Sequence, residues 1–191
     1  MRAVQEGFGG DENQRMSRRA LFWLVFLAAL ALDQSTKLWA RTAFVEHQSP
    51  GFPWPGVFEF TLTFNKGIAF GLFQGFGALL APVAVAIAFG AWLYSYRNPK
   101  DGPWTHAAMA LLCSGALGNL WDRIMLGQVT DMFWFRAIDF PVFNVADSCI
   151  TVSAAILILK WGRELVPGEK KPEAETKTVS PAAETAPSES P

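Results

Sequence analysis

Two aspartates, Asp131 and Asp147, are the residues best suited to chemistry in this chain. Asp131 closes the block Gly127-Gln-Val-Thr-Asp131 and Asp147 closes Phe143-Asn-Val-Ala-Asp147, while a third polar block, Gly118-Asn-Leu-Trp-Asp-Arg123, precedes both. These blocks set carboxylates, asparagines and an arginine between strongly apolar runs, where polar groups are costly and need a reason. The residues between Asp131 and Asp147 are too few, and too broken by Pro141, to cross a bilayer and return. Both carboxyls therefore reach the same face. Two carboxyls held close cannot both ionise readily, so one keeps a proton. The ionised partner can take a proton from a water that attacks a peptide carbonyl, while the protonated one hydrogen-bonds the carbonyl oxygen. Such a pair titrates as a unit. Each acid also has an ordinary reading. Asn144 and Asp147 resemble a helix N-cap with an acid at the third helical position, where the helix dipole also favours negative charge, and Asp131 reads locally as a solvated loop acid.

The other polar residues near the hydrocarbon form a supporting set. Asn119 shares a helix face with Asp122 and Arg123 by its spacing, and Asp122 with Arg123 is suited to a hydrogen-bond network that holds the following loop. Asp33 and Lys37 are spaced i, i+4 with the acid first, the favourable order for mutual neutralisation, with Gln34 and Thr36 available to bond neighbouring helices. Ser114 and Gly118 form a small-residue seam for close packing. His47 and His106 are isolated. No cluster of Cys, His and carboxylates stands at ligand spacing, so neither a metal nor another cofactor is expected. No Ser or Cys has a convincing His partner. Cys113 and Cys149 lie in apolar runs; a disulfide can be drawn, but two buried thiols acting as small hydrophobes fit better.

The elements that must carry these residues follow from hydropathy. Of 191 residues, 51% are hydrophobic and 17% charged, and the charges gather at the ends and in short loops. A net charge of −1 argues against a nucleic-acid partner, which needs a basic surface. Eight tryptophans suit a lipid–water interface. Apolar segments at 20–40, 77–96, 104–126 and 145–161 are read as spanning helices, the first preferred over a cleaved signal peptide because it continues helically through Asp33 to Ala40. Gly127 stands where a C-cap glycine would. Between the first two spans, Phe58, Phe60, Leu62 and Phe64 alternate with Glu59, Thr61 and Thr63, the period of an amphipathic strand. Asn65-Lys66-Gly67 reads as a turn, and 68–76 as a second strand or an interfacial stretch. Residues 127–144 read as a loop. Residues 1–17 are expected as a flexible tail, 18–163 as the membrane domain and 164–191 as a disordered Pro/Glu/Ala-rich tail. Arg15, Arg18 and Arg19, then Arg97 and Lys100, then Lys160 and Arg163 fall on one side of four spans, which puts both termini in the cytoplasm. Asp33, Asp122, Asp131 and Asp147 then share one outer level.

The pattern resembles the bacterial lipoprotein signal peptidases, or signal peptidase II. Four blocks carry the resemblance in order: Asp33-Gln-Ser-Thr-Lys37, Asn65-Lys-Gly-Ile-Ala-Phe-Gly71, Gly118-Asn-Leu-Trp-Asp-Arg123 with Gly127-Gln-Val-Thr-Asp131, and Phe143-Asn-Val-Ala-Asp147. The fold expected is a mainly α integral membrane protein, four transmembrane helices with a small extracytoplasmic β platform between helices 1 and 2. The resemblance implies an aspartic endopeptidase that removes signal peptides from diacylglyceryl-modified prolipoproteins just before the lipidated cysteine. It puts the catalytic pair on Asp131 and Asp147, with Asp33, Lys37, Asn65, Gly67, Asn119, Asp122, Arg123 and Asn144 binding or supporting. It also implies sensitivity to the cyclic peptide globomycin, which places a hydroxyl between the two aspartates. Membrane lipids are the surrounding partner, and a monomer suffices for the chemistry. Met132 departs from the family's common Phe, and the tail after 167 is an addition. Two rivals remain in view. A transporter using intramembrane acids as a relay predicts acids spread through the membrane depth rather than clustered at one level. A purely structural membrane subunit leaves the convergence of Asp131 and Asp147 unexplained.

Overall fold

The computed structural model describes the backbone of residues 2–67 and 80–165, with side chains for 16–67 and 80–162. The expected stretch at 68–76 and the C-terminal tail from 166 lie outside those residues. Four helices dominate: α1 (Arg2–Ala43), α2 (Leu80–Arg97), α3 (Pro103–Leu126) and α4 (Val145–Leu165). The polar segment expected as an N-terminal tail lies within the bounds of α1.

The bundle is organised around α3, which packs against each of the other three helices. Pro103 opens it at a position where a missing N–H costs nothing, and Gly127 closes it in the left-handed region at φ 71°. Its buried face is largely small: Ala108, Ala110, Ser114, Gly115, Ala116 and Gly118. Small residues let backbones approach, and here they do so closely. A Cβ on Gly115 would stand 2.5 Å from the Ala146 carbonyl oxygen. A Cβ on Gly118 would stand 2.6 Å from Asp33 Oδ2 and 3.4 Å from the Ala146 Cβ. Gly118→Ala is therefore expected to push apart α1, α3 and α4, at a cost of about 1–3 kcal/mol. A thermal midpoint in detergent equal to wild type would contradict it.

The polarity of the bundle is inverted relative to a water-soluble protein. Leu24, Leu27, Val83, Phe89, Ile158 and Leu159 are exposed, whereas Asp33, Lys37, Asp122 and Asn144 are fully buried. Among the described residues, two segments are long and apolar enough to cross a membrane, Met16–Ala43 and Val145–Gly162. Cys113 and Cys149 are buried free thiols.

A three-stranded antiparallel sheet caps one end, in the order β1 (Pro53–Trp54), β2 (Phe58–Asn65), β3 (Val129–Trp134). The β platform is thus not confined to the segment between α1 and α2. Residues 127–144 were expected as a loop, yet they supply β3 and a short 3-10 turn, Arg136–Ile138. Their pattern Val-Thr-Asp-Met-Phe-Trp does not alternate, because β3 is buried on both faces along most of its length. On β2 the alternation is real, but its polar side is not solvated. Glu59 is 0% exposed and accepts hydrogen bonds from Ser49 Oγ, the Gly56 amide and Arg136 Nη1. The Ser49 bond is the largest of the effects that hold its carboxyl below the usual glutamate range. A bulge between Phe60 and Thr63 shifts the β2–β3 register by one residue. Leu62 packs there with Ala40 and Met132, tying the sheet to the end of α1.

Candidate active site

β3 and the start of α4 meet at the mouth of the bundle, and there the two aspartates converge. Beyond the bulge, β2 pairs Thr63 with Asp131 and Phe64 with Thr130. On the other side of β3, the Met132 and Phe133 amides donate to the Phe143 carbonyl. Asp131 is therefore held from both sides of its strand, only 3% exposed, and is not the solvated loop acid of the local reading.

Asp147 does act as a cap. The Asn144 amide donates to Asp147 Oδ2 at 3.1 Å, and the Asp147 amide donates to Asn144 Oδ1 at 2.9 Å, a reciprocal box that starts α4. Capping and a place in the site are not alternatives, because the same box aims both side chains. Asn144 Nδ2 turns to Asp131 Oδ1 at 2.7 Å and to Asn119 Oδ1 at 3.0 Å. Asn119 Nδ2 donates to Asp147 Oδ1 at 2.8 Å. The two asparagines thus bridge the two carboxyls.

Both carboxyls line one cavity of about 630 Å³, with Asn65, Asn119 and Arg123 around them and Phe140, Val142, Phe143, Ile150 and Val152 forming apolar walls. Burial, and then the neighbouring Asp147, push the Asp131 carboxyl up to about 8, against the opposing bonds from Asn144 and Asn65 and the charge of Lys37. Of the two carboxyls, Asp131 is thus the one whose surroundings favour the protonated form.

Behind this front lies a buried ion cluster. Lys37 Nζ stands 2.9 Å from Asp33 Oδ2 and 3.6 Å from Asp122 Oδ2, and it donates to Asn119 Oδ1 at 3.0 Å. Asp33 Oδ1 accepts the Ala146 amide, which fixes the first turn of α4. Gln34 reaches the Gly118 carbonyl across the helix interface, as expected, whereas Thr36 bonds only carbonyls of its own helix. Asp122 Oδ2 accepts the Thr130 amide, holding the strand after α3. Arg123 Nη2 donates to the Gly67 carbonyl and Nη1 to the Asn119 carbonyl. Asn65 bonds Asp131 and accepts the Gly67 amide within its turn. The residues singled out in the sequence divide accordingly. Asp131, Asp147, Asn65, Asn119 and Arg123 face the cavity; Asn144 bonds Asp131, Asn119 and Asp147, Lys37 bonds Asn119, Asp33 and Asp122 fix the Ala146 and Thr130 amides beside the two aspartates, and Gly67 offers its backbone to Arg123.

Arg41, Thr130 and the Glu59–Arg136 pair were not anticipated. Arg41 had a signal: 33, 37 and 41 advance by four along one face of α1. Among the described residues, no group of three His, Cys, Asp or Glu side chains stands close enough to hold a metal ion.

The chain as a whole is similar to known proteins. The profile of the family described as signal peptidase (SPase) II matches residues 25–162. A lipoprotein signal peptidase of Gloeobacter violaceus is 41% identical over 138 residues, covering 72% of this chain and 79% of that protein. One from Pseudomonas putida is 40% identical over 152 residues, covering 76% of this chain and 88% of its own. A bacterial membrane enzyme solved in meso at 2.3 Å superposes with a TM-score of 0.73 at 25% identity, over 80% of this chain and 94% of that one. A second, at 1.9 Å, gives 0.67 at 27% identity, over 73% and 91%.

Proposed function

The chain belongs to the signal peptidase II family, peptidases of bacterial membranes that remove signal peptides from prolipoproteins, and from that premise we propose an aspartic mechanism for it. Asp131 and Asp147 activate water to cut a diacylglyceryl-modified precursor just before its lipidated cysteine. The observation that carries this reading is the pair of carboxyls bridged by Asn119 and Asn144 at the wall of one cavity.

The steps follow from the donors and acceptors present. Water between the carboxyls gives a proton to Asp147 as its oxygen attacks the scissile carbonyl. Asp131 donates its O–H to that carbonyl oxygen, so the developing charge is met by a hydrogen bond. The tetrahedral intermediate then collapses. The C–N bond breaks, the leaving nitrogen takes the proton from Asp147, and Asp131 recovers its own. Asn119 and Asn144 hold the acids through both halves, and Arg123 steadies the end of β2 through Gly67. The apolar walls suit an apolar signal peptide and its lipid, and a globomycin-type hydroxyl fits between the same carboxyls.

In this reading all four helices span the bilayer, with both termini in the cytoplasm and the cavity at the outer face. Residues 18–163 form the catalytic domain, flanked by cytoplasmic tails, and a monomer carries the activity. The exposed Trp54, Trp121 and Phe135 then lie at headgroup level.

The test uses the purified protein in detergent with a diacylglyceryl-modified precursor beside its unmodified twin, and maps the products by mass. Cleavage directly before the modified cysteine, with the twin left intact, is expected. Equal cutting of both, or a cut elsewhere, would overturn the substrate assignment. The proton on Asp131 adds a pH dependence. Its deprotonation removes the donor to the carbonyl, so kcat/KM is expected to fall on the alkaline side with a midpoint near pH 8. A rate flat from pH 6 to 10 would contradict that role.

A further inference from the structure

We propose that Arg41 is a positioning residue for Asp131, acting through Thr130 and Asp122. Thr130 is fully buried, immediately precedes Asp131, and has each of its polar groups taken by a different helix. Its amide donates to Asp122 Oδ2 of α3 at 2.9 Å. Its carbonyl accepts Asn144 Nδ2 from the cap of α4 at 3.3 Å. Its hydroxyl accepts Arg41 Nη1 of α1 at 2.9 Å. Three helices thereby fix the strand position next to the carboxyl that must meet a carbonyl oxygen, and a reacting group needs to be held within about 0.5 Å.

Arg41 also completes a charge balance. Asp122 Oδ1 is buried with no hydrogen-bond partner among the described residues, and Arg41 Nη1 lies 3.8 Å from it. Asp33 and Asp122 are thus matched by Lys37 and Arg41, which leaves the cluster behind the site neutral. Asp131 is faced by Asp147 from α4, by Lys37 from α1 and by Arg123 from α3, while Arg41 of α1 and Asp122 of α3 stand one residue away, on Thr130. Its neighbour on β2, Asn65, carries no charge. Removing Arg41 leaves one negative charge unmatched beside it and strengthens its hold on the proton. This inference rests on the aspartic reading above, in which Asp131 works as the protonated partner.

The experiment compares Arg41→Gln, Arg41→Lys and Thr130→Val with wild type over a range of pH. Arg41→Gln is expected to lower kcat about 10-fold with KM little changed. Its alkaline limb should move up by roughly half a pH unit. Arg41→Lys restores the limb, because it restores the charge. Thr130→Val lowers kcat without moving the limb, because the charges stay and only the tie is lost. Wild-type kcat and limb in Arg41→Gln would overturn the proposal, and so would a rise in KM with kcat intact, which marks a substrate contact. Should Arg41→Gln fail to fold, the other two decide: wild-type kcat in Thr130→Val refutes the tie. An infrared titration separates this proposal from the aspartic reading. The protonated carboxyl band that Asp131→Asn removes should titrate at higher pH in Arg41→Gln, even if no precursor is ever cleaved. An unshifted band would overturn the role of Arg41 alone.

Discussion

Asp131→Asn is expected to lose at least about 10³-fold in cleavage and yet to melt higher than wild type in alkali. The two effects have one cause. Asp131 is buried beside Asp147, and its folded-state proton affinity is raised to about 8 from an ordinary 3.8. A group raised in the folded state contributes stability that is fully present below its unfolded value and lost as pH climbs through the folded one. Across the window from about pH 4 to pH 8, the wild type therefore loses stability at this site, and above it the fold must hold two neighbouring negative charges. An asparagine keeps the shape, accepts the bond from Asn144 and turns its N–H₂ toward Asp147. It cannot ionise. The Asp131→Asn midpoint should exceed wild type by several degrees near pH 9, and the gap should close toward pH 5. Thermal unfolding in detergent at the two ends of that range checks it. A difference that does not change with pH would mean that Asp131 is an ordinary acid, and its place in the mechanism would go with it.

The second large effect falls on Lys37, which no substrate atom needs to touch. Its ammonium is 0% exposed and meets Asp33, Asp122, Asn119 and the Gly118 carbonyl. Lys37→Met preserves the stem and deletes the charge, leaving buried carboxylates without their partner. Breaking a buried ion pair from one side costs about 3–5 kcal/mol, which in a chain of this size lowers the midpoint by on the order of 10 °C. Activity should fall as well, since Asn119, which bonds Asp147, loses one of the two donors to its Oδ1 and keeps only Asn144. The cost belongs to the stranded charge rather than to lost packing. Adding Asp33→Asn to Lys37→Met should therefore recover part of the midpoint. A double variant less stable than Lys37→Met alone would refute the charge-balance account of this cluster.

Much of this molecule is legible in its sequence where one physical demand acts alone. Apolar length marks the four helices, and the i, i+4 spacing of Asp33 and Lys37 marks an ion pair that forms at 2.9 Å. Gly127 announces the end of α3. Legibility fails where two demands share a residue. Asn144 and Asp147 read as a cap or as a site, and the structure uses them as the first while presenting them to the second. β3 is hidden for a related reason: buried on both faces, it carries Asp131 with no alternation to reveal a strand. Glu59 reads as the wet side of β2, but its partners Ser49, Gly56 and Arg136 come from turns whose approach the strand pattern does not encode. Arg41 shows in the sequence only its alignment with Asp33 and Lys37; its partner Thr130 lies far along the chain, and only the fold brings them together.

The most direct test of the central claim is a double-variant cycle on the two aspartates, read as the cleavage rate of a diacylglyceryl-modified precursor by wild type, Asp131→Asn, Asp147→Asn and the double variant. Two carboxyls that share one proton and one water act as a unit, so removing either should cost nearly all of what removing both costs. Two single variants that still fold and are slowed at least about 10³-fold, with a double variant no slower than either, are expected. Losses that multiply in the double variant, or near wild-type cleavage by either single one, would contradict it and return Asp147 to its cap and Asp131 to its strand.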